Sequence, residues 1–202
     1  SCDHHARLWA RVDAMAQAEA GSICVRVHGD FHLGQVLVAQ TDAYLIDFEG
    51  EPISSLDARR APASRYKDVA GMLRSFDYAA ASIARSDMMG GAHMDANAGA
   101  DDTPGASVAP AEQRDALLTR FRQQASEAFL QGYRDARGTD LTPAADQEAA
   151  MLSLAQLEKA AYEVSYEAAH RPDWISIPLC ALTELARNIL LSAAIDAEGK
   201  TP

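Results

Sequence analysis

The side-chain periodicity of this chain changes twice along its length, and those changes limit the folds open to it. Between residues 23 and 48, three short runs rich in β-branched and aromatic residues read as strands: Ile23 to Val27, Gln35 to Ala39 and Tyr44 to Phe48. Thr41 and Asp42 fall in a tight turn between the last two. From Asp68 onward the apolar residues recur with a helical period. Val69, Leu73, Phe76, Ala80 and Ile83 share one face, behind an Asp68 suited to cap the helix N-terminus and to anchor the loop before it. Three short strands cannot stand alone, so helices must supply the core. The expected fold class is α+β, predominantly α-helical, with a short β-ribbon.

The remaining helices are read from the same period. The first covers about Cys2 to Glu19, with Leu8, Val12 and Met15 on one face and Gly21 as its close. Another runs from Glu112 to Arg137, with Leu117, Phe121, Ala125 and Phe129 inward and Gly138 as its stop. Thr142-Pro143 reads as an N-cap followed by a first-position proline, opening a helix that reaches Ala169 before Arg171-Pro172 ends it. The last spans Pro178 to Glu198, with Leu182, Leu185 and Ile189 inward and Gly199 at its end. Residues 86–111 break the pattern with four Gly, two Pro, four Asp, no Lys or Arg and no aromatic residue. Such a stretch buries too little apolar surface to offset its ordering entropy, so a mobile acidic insert is expected there.

Charge narrows the function classes. The 202 residues hold 29 acidic and 18 basic side chains, a net charge of −11. A sequence-independent grip on nucleic acid or on an anionic membrane needs basic surface, so neither partner is expected. Charges interrupt the apolar stretches short of the ~18 residues of a membrane span, and the expected location is cytoplasmic. Cys2, Cys24 and Cys180 are too few and too far apart for a disulfide framework or a zinc signature, and Cys24 is expected to be buried in a strand.

The chemistry sits at the mouths of the strands. The first runs into His28-Gly29-Asp30-Phe31-His32-Leu33-Gly34-Gln35, and the third ends in Asp47-Phe48-Glu49-Gly50-Glu51. A hairpin between the second and third strands brings Gln35 and Asp47 together, with Asp30 just before them. Phosphoryl transfer asks for a carboxylate to take or orient the proton of the attacking hydroxyl, and for separate oxygen ligands to Mg²⁺. Asp30 to Gln35 is five residues, the separation of the catalytic-loop Asp and Asn in protein kinases. On the bland reading, Asp30 and Asp47 are turn residues. A third reading makes His28, Asp30 and His32 a hydrolase metal cluster, although no further His-rich ligand set follows. His32 reads as a structural residue bonding loop backbone.

HGDFHLGQ resembles the HGDxHxxN catalytic loop of the aminoglycoside phosphotransferase-like (choline-kinase-like) small-molecule kinases, and DFEGEP resembles their metal-binding motif. The combination of RVHGDFHLGQVL, LIDFEGEP, RYKDVAGMLRSFDYAA and LEKAAYEVSYEAAHRPDWISIPL is similar to the maltokinase branch from about Cys24 to Leu191. That resemblance implies the C-terminal lobe of a protein-kinase-like fold that phosphorylates maltose to maltose 1-phosphate with ATP and Mg²⁺. It implies Asp30 as catalytic base, Gln35 and Asp47 as Mg²⁺ ligands, and Glu49 close to the metal. His28 would contact the sugar or brace the loop. Gln35 departs from the broader superfamily's Asn and suits the maltokinase branch. A trehalose synthase domain fused ahead of the kinase is part of the same implication.

The helix from Thr142 carries a second polar face. At about 100° per residue, Leu154, Leu157, Ala161, Val164 and Ala168 form a core stripe, while Lys159, Tyr162, Glu163 and Tyr166 form a separate ridge. Aromatic rings flanked by a cation and a carboxylate suit a sugar, and the alternative is a solvated face laced by i,i+4 pairs. The resemblance adds Arg171 and makes Lys159, Tyr162 and Tyr166 sugar contacts.

Two kinase parts are absent from the sequence: no G-x-G-x-x-G occurs, and Lys67, Lys159 and Lys200 all follow the catalytic loop. Residues 1–202 are therefore expected to form one catalytic and sugar-binding lobe, with the nucleotide-clamping N-lobe upstream. The competing readings are another acceptor within the same superfamily, or a non-catalytic helical binding module.

Overall fold

The computed structural model describes residues 2–51, 54–93, 111–137 and 143–198. Six helices and four short strands follow in the order α1 (Cys2–Glu19), β1 (Cys24–Val25), β2 (Val36–Ala39), β3 (Asp42–Leu45), α2 (Leu56–Arg60), β4 (Ala63–Ser64), α3 (Tyr66–His93), α4 (Ala111–Ala136), α5 (Ala145–His170) and α6 (Ser176–Glu198). Single 3-10 turns stand at Leu33–Gln35 and Pro172–Trp174. The mostly helical α+β class matches the sequence expectation. The Cα positions divide into two units, Ser1–Arg74 with Gly138–Pro202, and Ser75–Arg137.

In the first unit, α1, α5 and α6 pack on one another. Met15, Leu154 and Ile189 form the buried centre, with Leu8, Val12, Ala150 and Leu157 packed against it. The face read on α1 is thus the face that packs. Pro172–Ser192 is long and apolar enough for a membrane span by length and composition alone. Glu184 and Arg187 interrupt that stretch, and α6 lies against α1 and α5.

The core stripe expected on α5 holds only in its first half. Leu154 is buried, but Ala161 and Ala168 are exposed, and the second half buries Glu163 and Glu167 instead. Arginines make this possible. Arg74 Nε donates to Glu163 Oε2 at 2.7 Å, and Arg171 clamps Glu167 with bonds of 2.9 and 2.6 Å. Buried carboxylates are tolerated when each is paired and hydrogen-bonded. Helix periodicity cannot foresee that, because it counts a glutamate as surface.

The strands form two ribbons, not one sheet. β2 and β3 pair antiparallel, Val36 opposite Leu45 and Ala39 opposite Asp42, so the turn is Gln40-Thr41, one residue earlier than expected. β1 pairs with β4, Cys24 opposite Ser64. β4 and α2 had no sequence signal, being two and five residues long. Ser55 caps α2, its Oγ accepting from the Ala58 amide at 3.2 Å. Cys24 is exposed, contrary to expectation, because a two-residue strand at the edge offers nothing to cover it.

The second unit holds the remainder of α3 and all of α4. Phe76 meets Phe121 and Phe129 edge-on, at centroid distances of 6.3 and 6.2 Å, and Arg122 Nε donates to Asp77 Oδ1 at 2.7 Å. Leu117, expected inward, is 61% exposed, and α4 buries no residue. Residues 86–93 continue α3 as helix, where an insert was expected; the rest of that segment, 94–110, lies outside the described residues. So do Gly138, Thr142 and Gly199. The N-cap position of α5 is Ala144, with no side-chain cap.

Candidate active site

Everything chemical in the first unit hangs between β1 and β4. The segment leaving β1 is pinned at its first two residues by Asp68, in the first turn of α3. Its Oδ2 accepts from the His28 amide at 2.7 Å and its Oδ1 from the Gly29 amide at 2.9 Å. The anchoring role expected of Asp68 is what the geometry shows. Two residues on, the Phe31 carbonyl presses on α3 at Gly71, where a Cβ would stand 2.6 Å from its oxygen. Asp30 lies between these fixed points, half-buried.

The second loop is zipped to the first. Ile46 donates its amide to the Gln35 carbonyl at 3.0 Å, and its own carbonyl accepts from His28 Nε2 at 2.7 Å. A carbonyl can only accept, so the His28 proton sits on Nε2. The imidazole is buried between Phe31 and Phe48, with ring centroids 5.4 and 4.8 Å away. Of the two roles expected for His28, the structure supports the brace. His32 Nδ1 accepts from the Gly34 amide at 3.0 Å, the structural role expected of it. Each histidine is thus committed to backbone. Among the described residues no group of three or more His, Cys, Asp or Glu side chains gathers as a metal shell.

Gln35 and Asp47 are brought together as the hairpin requires: Gln35 Nε2 donates to Asp47 Oδ2 at 3.0 Å. Asp47 has φ of 63°, a left-handed conformation rare outside glycine and least costly for Asp and Asn. Gly50 (φ 76°) and Gly29 (φ 88°) meet back to back, and a Cβ on Gly29 would stand 3.1 Å from the Gly50 Cα. No side chain fits between the two loops there. Arg59 of α2 covers the other side of Gly50, and its Nη1 reaches the Glu49 carbonyl at 3.4 Å. The Glu49 side chain is exposed.

The donor set fits Mg²⁺. One carboxylate, one amide able to turn its oxygen outward and the adjacent Glu49 are hard oxygen ligands, and this ion keeps several waters and substrate phosphates for itself. Asp47 and Gln35 would hold it, and Glu49, two residues on and exposed, belongs to the same loop.

Beyond the loops lies a cavity of about 340 Å³, lined by Gly29, Phe31, Glu51, Glu158, Lys159 and Tyr162 among others. That volume is at the small end of ligand sites. Lys159 Nζ is 3.5 Å from Glu51 Oε1 and 5.2 Å from the centre of the Tyr162 ring. The Tyr162 hydroxyl is buried without a partner in hydrogen-bond geometry. Burial first, then a loose hydrogen bond toward Glu51 and the charge of that carboxylate, and then Tyr166 and Asp30 push this phenol up to about 12. Burial and the charge of Glu19 raise Glu158, against the pull of Lys67.

The ridge read on α5 is partly realised. Tyr162 stacks on Tyr166 at 6.2 Å, Tyr166 on His170 at 4.5 Å, and the Arg171 guanidinium lies 5.7 Å over Tyr166 and 5.5 Å over Trp174. Glu163 departs from it, turned inward onto Arg74. Sequence reasoning missed Glu51, which the DFEGE motif carries two residues beyond Glu49 and which reaches the ridge from the other loop.

No family model matches the chain. Two curated proteins are similar over most of it. The glucosamine kinase of Streptacidiphilus jiangxiensis is 28% identical over 181 residues, 89% of this chain and 35% of that protein. The glucosamine kinase of Mycolicibacterium smegmatis is 29% identical over 166 residues, covering 82% and 35%. A solved glucosamine kinase in complex with glucosamine, ADP and inorganic phosphate superposes with a TM-score of 0.55 at 24% identity, over 96% of this chain and 48% of that one. A second crystal form gives 0.51 at 25%, over 91% and 44%. The fold is shared with glucosamine kinases. The chain spans about a third of the curated relatives' length and about half of the solved chains.

Proposed function

We propose that this chain is the acceptor-binding and catalytic lobe of a small-sugar kinase that transfers the γ-phosphoryl group of ATP to a sugar hydroxyl, in a reading frame that also supplies a nucleotide-clamping lobe. The observation that carries the reading is the Gln35–Asp47 pair, 3.0 Å apart at the root of one hairpin and zipped to the loop that holds Asp30. The glucosamine kinase relatives support the same chemistry.

Asp30 accepts the proton of the attacking hydroxyl. Its loop is pinned by Asp68 before it and Gly71 after it, so the carboxylate needs little reorganisation when an acceptor enters. Asp47 and Gln35, with Glu49 on the same loop, would hold Mg²⁺, which would neutralise charge on the donor phosphates. The neutral Tyr162 hydroxyl and the Lys159 ammonium bond acceptor oxygens, and the ring of Tyr166 covers an apolar sugar face. The cavity's size and its two glutamates favour an amino-monosaccharide such as glucosamine. A second reading, maltose, rests on the motif resemblance and on the aromatic row from Tyr162 to His170, which extends the wall beyond the cavity; Arg171 flanks it.

The test uses the protein expressed from its complete reading frame, with ATP, Mg²⁺ and a panel of glucosamine, maltose, glucose, trehalose, an aminoglycoside and choline. Transfer to glucosamine is expected; preferential transfer to maltose selects the second reading, and transfer to no sugar overturns both. Asp30→Asn is expected to lower kcat by about 10²- to 10⁴-fold. A wild-type rate in that variant overturns the assignment of the base.

A further inference from the structure

Glu51 joins two parts of the site that the mechanism treats separately. It belongs to the loop that carries Asp47 and Glu49, yet its carboxylate lines the cavity and faces α5. Its cationic partner, Lys159, stands at 3.5 Å. That is beyond the roughly 2.7–2.9 Å of a charge-assisted hydrogen bond. The two side chains are only 26% and 19% exposed. The carboxylate is therefore withdrawn from bulk water without being fully satisfied by the protein. Beside it, the Tyr162 hydroxyl is buried and lacks a partner in good geometry. A half-buried carboxylate whose lysine stands at 3.5 Å and a buried hydroxyl that meets that carboxylate only loosely describe a hydrogen-bond set that a ligand finishes.

The chemistry of the missing group follows from what stands in for it. Lys159 offers Glu51 a primary ammonium at the end of a flexible stem. A small ligand carrying a primary ammonium can approach closer than the tethered lysine does and donate up to three hydrogen bonds. We propose that Glu51 is the carboxylate that recognises the amino group of the acceptor, the Lys159 ammonium being the internal cation that the amine displaces. This inference rests on the sugar-kinase reading and deepens it. It assigns amino-sugar selectivity to a residue of the metal loop and to a displaceable lysine on α5. The amine takes the Glu51 carboxylate, the freed Lys159 head turns toward a sugar hydroxyl, and the neighbouring Tyr162 hydroxyl donates to another sugar oxygen. No proton or bond changes hands in this step.

Two substitutions test it in the protein from the complete reading frame. Glu51→Gln keeps the shape and removes the charge. The ratio of kcat/KM for glucosamine to that for glucose is expected to fall about 10- to 100-fold, the loss appearing in KM for glucosamine. Lys159→Met removes the internal competitor together with a sugar contact; glucose only loses the contact, whereas glucosamine also gains the vacated carboxylate, so the glucosamine-to-glucose ratio of kcat/KM is expected to rise about 2- to 5-fold. A lysine needed only for structure would leave that ratio unchanged. Thermal melting of both variants identifies loss of fold, and isothermal calorimetry with glucosamine repeats the comparison without turnover. Phosphorylation of sugars by the wild type together with an unchanged selectivity ratio in Glu51→Gln overturns this inference alone. An unchanged or lower selectivity ratio in a folded Lys159→Met also overturns it. Absence of sugar phosphorylation in the wild type overturns the kinase reading instead.

Discussion

Tyr162 shows how much one side chain's surroundings can say about its role. A phenol ordinarily titrates near 10, and here burial and the adjacent carboxylates hold the proton up to about 12. The hydroxyl is therefore a neutral donor throughout the physiological range, which suits a group that bonds sugar oxygens. A folded-state pKa above the unfolded one favours the folded state fully below pH 10. That contribution is lost as pH rises from about 10 towards 12, because the unfolded chain releases its proton first. Tyr162→Phe is expected to remove the highest-pH step from the ultraviolet phenolate titration and to flatten the alkaline fall in stability. An unchanged titration curve would show that another tyrosine accounts for that step. The same substitution leaves the ring that Lys159 overlies.

At the scale of elements, the site depends on α3 lying close to the loop that carries Asp30. Gly71 permits that approach: a Cβ would meet the Phe31 carbonyl oxygen at 2.6 Å, and both partners are backbone. Gly71→Ala is expected to cost about 1–3 kcal/mol in urea unfolding and to lower kcat by displacing Asp30. Wild-type stability with wild-type kcat would show that the loop yields freely. These elements also show what the sequence made legible. The β2–β3 hairpin, the meeting of Gln35 with Asp47 and the anchoring by Asp68 could be read, because local alternation and a short connection leave few pairings open, although the turn itself lies one residue earlier than read. The β1–β4 ribbon, the Gly71 contact and the reach of Glu51 to α5 could not. Each joins residues far apart in the chain through only one or two positions, too few to make a period. Glu163 was misplaced for a related reason, since the helical wheel of α5 carries no information about an arginine on α3.

For the molecule as a whole, the buried Arg74–Glu163 pair ties α3 to α5 across 89 residues of sequence. Its side chains are 3% and 10% exposed, so removing one partner strands the other charge away from water. Arg74→Met is expected to lower unfolding free energy by about 3–5 kcal/mol, and Arg74→Met with Glu163→Leu to recover most of that loss. A small effect of the single change would place water at the pair. The net charge of −11 takes on a different meaning beside such pairs. Glu163 and Glu167 are each matched by an arginine, so neither adds an uncompensated charge to the interior.

The narrow neck formed by β1 and β4 has a kinetic consequence. Cys24 meets Ser64, and His28 meets Asp68 across 40 residues, so the segment between them is a closed loop held by two residue pairs and one carboxylate. Closing such a loop costs entropy before any contact at the neck offsets it, whereas α1, α5 and the β2–β3 hairpin each begin from neighbours in sequence. During refolding the helices and the hairpin are therefore expected to form ahead of the neck, which late protection of the His28 and Gly29 amides in pulsed hydrogen exchange would show. By the same argument the neck is expected to be the first part to open under mild denaturant.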